Sequence, residues 1–235
     1  MILYKIRKVI NRLGFHVTRK FRVRLDNINL LELGILKILH NYENINFIQI
    51  GASDGVTNDP LNPIIKAYKE RISGICVEPL PGPYTQLVLN YKEYKNIKTI
   101  NAAIAEKDGQ LGFFVPIKEK EGYFSKKSSL SSSNLLKHGL KKSEIREIIV
   151  QSMSVSTLLK ISDMNHVHVL VIDVEGYDFK VLDNFFKSGI FPEVILFEHA
   201  HLPRQERELV RHLFGQYRYN FIEATIDTLA IKQSK

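Results

Sequence analysis

Asn46-Phe47-Ile48-Gln49-Ile50-Gly51-Ala52-Ser53-Asp54-Gly55 is the stretch whose reading decides the fold. Phe47, Ile48 and Ile50 make an apolar run that stops at a glycine. A small residue, a polar pair and a second glycine follow. The pattern predicts a buried strand that ends in a tight turn and opens into a helix. Glycine at such a turn lets a ligand approach the backbone, because it has no Cβ and tolerates unusual φ values. The spacing is G-x-x-x-G and lacks the G-x-G-x-x-G phosphate fingerprint, so a pyrophosphate cradle and NAD binding are not expected. By itself the turn is equally readable as an ordinary strand-to-helix loop.

Outward from this stretch, short apolar runs alternate with helical patterns. Leu30 to Tyr42 reads as a helix, as does the segment through Ile64, Ile65 and Tyr68 after Pro60 and Pro63. Ser73 to Glu78 reads as a second strand, Tyr84 to Tyr91 as a helix and Ile97 to Ile104 as a third strand. An accessory strand is expected over Leu111 to Val115, an extended segment over Ile148 to Ser154, and a short helix from Ser156-Thr157. Val167 to Ile172 is a further apolar strand. Helix Tyr177 to Phe186, strand Val194 to Phe197, helix Arg204 to Phe214 and two strands, Tyr219 to Glu223 and Leu229 to Lys232, complete the order. Continuous apolar strands alternating with helices predict an α/β fold with a mostly parallel sheet covered on both faces.

Ligands of such sheets sit beyond the C-terminal strand ends. The strand ends here are Gly51, Glu78, Asn101, Asp173 and Glu198. Four of these five are polar or acidic, and a buried acid costs desolvation unless it binds something. Glu78, at the end of the strand after the glycine turn, is placed to accept both hydroxyl hydrogens of a ribose. A ribose acid without a phosphate fingerprint suits a nucleoside ligand with no phosphate, of which S-adenosylmethionine is the common one.

Phe47 to Gly55, Val77-Glu78-Pro79, Asn101-Ala102-Ala103-Ile104, Ser128-Ser129-Leu130, Ile172-Asp173-Val174-Glu175-Gly176 and Phe197-Glu198-His199 follow one another in the order and spacing of a known family. From about Phe47 to His201 the chain resembles the FkbM-type methyltransferases. The resemblance implies a class I, Rossmann-like methyltransferase fold with a seven-stranded sheet whose last strand is antiparallel. It implies S-adenosylmethionine as cofactor and methylation of oxygen on a sugar, glycan or natural-product hydroxyl.

By position, Gly51, Ala52, Ser53, Asp54 and Gly55 are implied at the methionine end of the cofactor. Glu78 and Pro79 are implied at the ribose, and Asn101, Ala102 and Ala103 at the adenine. Asp173 and Glu175 are implied where the methyl group meets the acceptor. One departure is Val171, where the family often has Lys before the Ile-Asp-Val-Glu-Gly block.

An acceptor hydroxyl must be aligned and lose its proton as it attacks. Asp173 and His199 are the candidate bases. Ser128, Ser129, Glu198 and His201 are the acceptor-side candidates, with Lys126 and Lys127 beside the serines suited to a phosphate on an activated sugar. The alternative route is a divalent metal such as magnesium, held by Asp173, Glu198 and His199 as in catechol O-methyltransferases. That route is not the favoured one.

The 235 residues suit one domain with a full core. The division expected is a basic helical segment over 1–44 and the methyltransferase domain over 45–235. Eight cations, Lys5, Arg7, Lys8, Arg12, Arg19, Lys20, Arg22 and Arg24, precede the first acid, Asp26, and account for the net charge of +8. The body of the chain is therefore formally neutral. That disfavours a nucleic-acid partner, and no Asn-Pro-Pro-aromatic motif of base N-methyltransferases is present. Ile2, Ile6, Val9 and Leu13 fall at helical spacing opposite Lys5, Lys8 and Arg12, a helix suited either to an acidic membrane surface or to packing on its own domain. The single cysteine, Cys76, reads as core, excludes an internal disulfide and points to a reducing, cytoplasmic setting, at the inner face of a membrane if the basic helix anchors there. The competing classes are a nucleic-acid or protein methyltransferase anchored by its basic N-terminus, and a nonenzymatic nucleotide-binding module.

Overall fold

The chain folds around a seven-stranded sheet. The computed structural model describes residues 29–117, 135–136 and 139–234. The expected N-terminal helix and the serine-rich segment with Ser128 and Ser129 lie outside these residues.

In chain order the elements are helix α1 (Leu30–Leu39), strand β1 (Ile45–Ile50), α2 (Asn62–Ala67), β2 (Ile72–Val77), α3 (Pro81–Tyr91) and β3 (Ile97–Ile100). Strands β4 (Ala103–Ala105), β5 (Gly109–Pro116) and β6 (Ile145–Ser154) follow, then α4 (Val155–Ser162). The chain continues through β7 (Val169–Ile172), α5 (Asp178–Lys187), β8 (Val194–Glu198), α6 (Arg204–Gln216), β9 (Tyr219–Glu223) and β10 (Asp227–Lys232).

The main sheet has the order β3-β2-β1-β7-β8-β10-β9. Its pairs are parallel except those of β10, which runs antiparallel to β8 and β9. This is the class I methyltransferase arrangement that the resemblance implies. Because side chains alternate across a strand, each strand feeds two cores. Ile48, Ile50, Leu170 and Ile172 pack with Val181, Phe185 and Phe214 from α5 and α6 on one face. Phe47, Val169, Val171 and Leu196 pack with Ile35, Ile65 and Leu87 from α1, α2 and α3 on the other. Cys76 lies in this second core, as read from the sequence.

The expected strand Ile97 to Ile104 is broken. β3 stays in the main sheet, whereas β4 pairs in parallel with β6 in a separate sheet of order β4-β6-β5. Its neighbour β2 ends at Val77, so beyond Ile100 there is no edge left to pair with. Asn101 fixes the break, its amide donating to the carbonyls of Glu78 (2.8 Å) and Pro79 (3.1 Å). Asp108 ties the small sheet to α4, accepting from the Ser154 N–H and the Thr157 hydroxyl.

The turn after β1 runs on past Gly55, and the helix follows where Pro60 and Pro63 place it, beginning at Asn62. Gly51, Ser53, Gly55 and Asn58 all have positive φ, which is incompatible with a helical run. Asp54 accepts from the N–H groups of Val56 and Thr57, and Asp59 from those of Leu61 and Asn62, so these carboxylates cap successive turns.

Two backbones pass close together here, at Gly51 and Asp173. Gly51 has φ +80°, and a Cβ placed there would lie 1.8 Å from the Asp173 carbonyl oxygen. The ends of β1 and β7 thus meet only because residue 51 has no side chain. Gly51→Ala should cost about 3 kcal/mol or more, combining a disfavoured φ with a backbone clash. Urea unfolding measures this, and an unchanged midpoint would contradict the packing described. Among the described residues no helix is long and apolar enough to cross a membrane.

Candidate active site

Beyond the C-terminal ends of β1, β2, β7 and β8 lies a cleft of about 440 Å³. This is within the size of small-ligand sites and at the position where open α/β sheets bind ligands. Its floor is Gly51, Ala52 and Ser53. The N–H groups of Gly51 and Ala52 donate to the Val77 carbonyl at 2.9 and 3.0 Å, tying the turn to the neighbouring strand.

Glu78 stands at the end of β2, 5% exposed. One carboxylate oxygen accepts the Ser53 N–H and the other the Leu80 N–H, each at 2.9 Å. These bonds aim the group into the cleft and leave each oxygen a further lone pair. Burial pushes its pKa up to about 7, against the pull of the two N–H donors and with the help of the Asp173 charge. Pro79, Leu80, Ala102, Ala103, Ile104 and Phe113 continue the wall beyond Glu78 with apolar surface.

Opposite them, β7 ends in Asp173-Val174-Glu175-Gly176. Glu175 is left-handed, with φ +51°. The loop is held from beneath by Asp178, fully buried, whose carboxylate accepts the N–H groups of Gly176 (3.1 Å) and Val174 (3.4 Å). Burial, and then the charges of Asp173 and Glu198, drive the Asp178 pKa well up. Glu198 ends β8 and faces the same cleft. Burial, with Asp173 and Asp227, raises its pKa to about 8. His201 completes this end, its Nε2 3.5 Å from Glu175 Oε2 and 3.5 Å from Glu198 Oε1.

Three sequence expectations need correction. His199 does not face the cleft. It is buried on the opposite side of β8, with Nδ1 2.9 Å from the Thr228 hydroxyl, beside Arg207 and Glu223 around a void of about 10 Å³. Adjacent strand residues point to opposite faces, so placing Glu198 in the cleft sends His199 away from it. His199 is therefore neither base nor ligand, and the expected metal set Asp173, Glu198 and His199 does not converge.

Asn101 is turned to the Glu78-Pro79 backbone and is not part of the cleft wall. Asp54 and Gly55 are likewise structural. Asp54 caps its own turn, and the Gly55 carbonyl accepts the Tyr91 hydroxyl (2.7 Å) and the Asn62 amide (2.9 Å).

The sequence reading missed Asp59, Asp178 and Asp227. Asp59 lines the cleft and accepts the Gln49 amide at 2.7 Å. Asp227 enters the wall because β10 runs antiparallel and sets it opposite Glu198 in register.

The methyltransferase FkbM domain matches residues 49–225. The chain belongs to the FkbM methyltransferase family. A search of curated proteins gives no match. Among solved structures, the chain is similar to a precorrin-6y C5,15-methyltransferase from Geobacter metallireducens, at 11% identity and TM-score 0.46 over 92% of this chain and 94% of that one. It is also similar to a ribosomal protein L11 methylase from Lactobacillus delbrueckii subsp. bulgaricus, at 11% identity and TM-score 0.43 over 89% and 80%. A third is the fibrillarin pre-rRNA processing protein of Methanococcus jannaschii, at 12% identity and TM-score 0.43 over 83% and 69%.

As an FkbM methyltransferase the protein uses S-adenosylmethionine. The cleft fits that group. The side-chain-free turn at Gly51 admits a ligand to the backbone, and Glu78 is a buried acceptor beside an apolar wall. Glu78→Gln should weaken S-adenosylmethionine binding about tenfold or more, by replacing an anionic acceptor with an amide. Calorimetry checks this, and unchanged affinity would show that Glu78 does not contact the cofactor.

A pH test follows from the same group. Between pH 4.5 and about 7, Glu78 in the folded, ligand-free protein keeps a proton that the unfolded chain, with the ordinary value of 4.5, has released, and above about 7 it is the anionic acceptor. Its contribution to stability is full below pH 4.5 and is lost as pH rises through about 7. Thermal unfolding of the wild type should therefore fall more steeply than that of Glu78→Gln between about pH 5 and about pH 8. Parallel profiles would contradict the buried state of this carboxyl.

Proposed function

We propose that the enzyme methylates a hydroxyl oxygen of a sugar, glycan or natural-product acceptor. The observation that supports this is the lining of the cleft. Among the described residues it carries six carboxylates, Asp59, Glu78, Asp173, Glu175, Glu198 and Asp227, together with His201, and no Lys or Arg. Such a surface accepts hydrogen bonds from hydroxyl groups and repels a phosphate backbone. This counts against the nucleic-acid reading.

In this reading Gly51, Ala52 and Ser53 hold the amino-acid end of the cofactor, Glu78 the ribose, and Pro79, Ala102 and Ala103 the base. S-adenosylmethionine, when bound, supplies an electrophilic methyl group on a sulfonium. The residues around it position the acceptor and manage its proton. Asp173, exposed at the end of β7, takes the hydroxyl proton. Its backbone contact with Gly51 sets the distance between that base and the cofactor turn. Glu175, Glu198 and His201 hold the acceptor's hydroxyls and so align one oxygen for in-line attack. Asp178 maintains the loop that carries Glu175.

The test is transfer of labelled methyl from S-adenosylmethionine to a panel of glycans, nucleotide sugars and hydroxylated natural products, with nucleic acid and protein as competitors. A methyl ether on one of the hydroxyl acceptors is expected. Asp173→Asn should then lower kcat about a hundredfold or more while leaving cofactor affinity within a factor of about two. Label appearing on nucleic acid or protein, or on nitrogen or carbon, would contradict the proposal.

A further inference from the structure

We propose that Glu175, Glu198 and His201 bind a divalent transition-metal cation at the acceptor end of the cleft. Their donor atoms lie within 4.8 Å of one another, and His201 Nε2 is equidistant, at 3.5 Å, from an oxygen of each carboxylate. That distance is long for an N–H···O hydrogen bond. It is close to the edge of a coordination shell, since bonds of about 2.1 Å to one ion hold neighbouring donors roughly 3.0–3.4 Å apart. The two carboxylates are largely withdrawn from solvent, with side chains 14% and 13% exposed. A second observation points to a cationic ligand. The other oxygen of Glu198, Oε2, is buried and has no hydrogen-bond partner among the described residues. A buried carboxylate oxygen left in this state is costly unless a donor or cation arrives.

The three groups are also held as metal ligands usually are, by partners behind them. Asp178 fixes the Glu175 loop through the N–H groups of Val174 and Gly176. Arg207 fixes the His201 loop, donating to the carbonyls of Ala200 (2.9 Å) and Leu202 (3.1 Å). Glu198 is set by its strand. One imidazole nitrogen and two carboxylates favour manganese, iron or zinc over magnesium or calcium, which prefer all-oxygen shells. Three protein ligands leave positions open for acceptor oxygens. An acceptor hydroxyl bound there would have a lowered pKa and give its proton more readily to Asp173. This differs from the ligand set expected from the sequence, because His201 takes the place of His199 and Glu175 that of Asp173. The inference takes from the proposed function only the location of the acceptor end.

The full chain, stripped with a chelator, is titrated with manganese(II), following free ion by electron paramagnetic resonance and heat by calorimetry. One equivalent should bind, with magnesium much weaker and zinc competing. Glu198→Gln and His201→Gln should each weaken manganese affinity about tenfold or more while leaving S-adenosylhomocysteine affinity unchanged. If either variant fails to fold, Glu175→Gln serves in its place. Absence of stoichiometric binding, or binding that the variants do not weaken, overturns the inference. Metal binding without methylation of any hydroxyl acceptor would uphold it and remove the acceptor reading. Full turnover of a hydroxyl acceptor by metal-free enzyme, with no manganese bound, would do the reverse.

Discussion

The contact between Gly51 and the Asp173 carbonyl sets the geometry of everything beyond the sheet. Two adjacent parallel strands, β1 and β7, lead their chains to opposite sides at this point, and a crevice opens between them. A Cβ at residue 51 would overlap the neighbouring carbonyl, so the crevice owes its depth to one missing side chain. The β1 turn and the Asp-Val-Glu-Gly loop are thereby held at a fixed separation. Glu78 is drawn into the same arrangement through its bond to the Ser53 N–H. Asp178 does the equivalent for the opposite loop, from below. The two loops that bracket the site are each buttressed by a buried carboxylate that accepts backbone N–H groups.

The second constraint is electrostatic. Acids collected at the strand ends repel one another, and the raised pKa values of Glu78 and Glu198 express burial first and that crowding second. A cleft of this kind gains from cationic and hydrogen-bond-donating ligands. The sulfonium and amino groups of the cofactor are such ligands, as are the hydroxyls of a sugar and a bound metal ion. The division of the cleft is clear: an apolar wall with one acid toward β2 and β4, and a carboxylate–imidazole cluster toward β7 and β8.

Much of the main sheet was legible because its central strands β1, β2, β7 and β8 are short, mostly apolar runs buried on both faces. The run from Val167 through Ile172 is the clearest case, and all four residues of β7 are buried. The break after Ile100 was not legible, since it depends on β6 as a partner more than forty residues downstream in sequence. The start of α2 at Asn62 was legible from Pro60 and Pro63, but the string of turns before it, with four left-handed residues and two aspartate caps, was not. In the cleft, Glu78 is expected from its strand-end position and Glu175 from the Asp-Val-Glu-Gly motif alone. His199 was preferred over His201 because it lies nearer the Glu198 motif. Strand alternation already implied the opposite, for only one of two adjacent residues can face the cleft. Asp178 and Asp227 carried no motif signal. Their roles come from a helix start and an antiparallel register, both of which require the folded neighbours.

The central claim is that the cofactor binds where the β1 turn, Glu78 and the Asp173 loop converge. Amide hydrogen exchange of the full chain, with and without S-adenosylhomocysteine, tests this most directly, because it needs no knowledge of the acceptor. Added protection is predicted in peptides covering 50–55, 77–80, 101–104 and 172–176, with no change over α6. Protection confined to other segments, or none at saturating ligand, would contradict the assignment of the cleft.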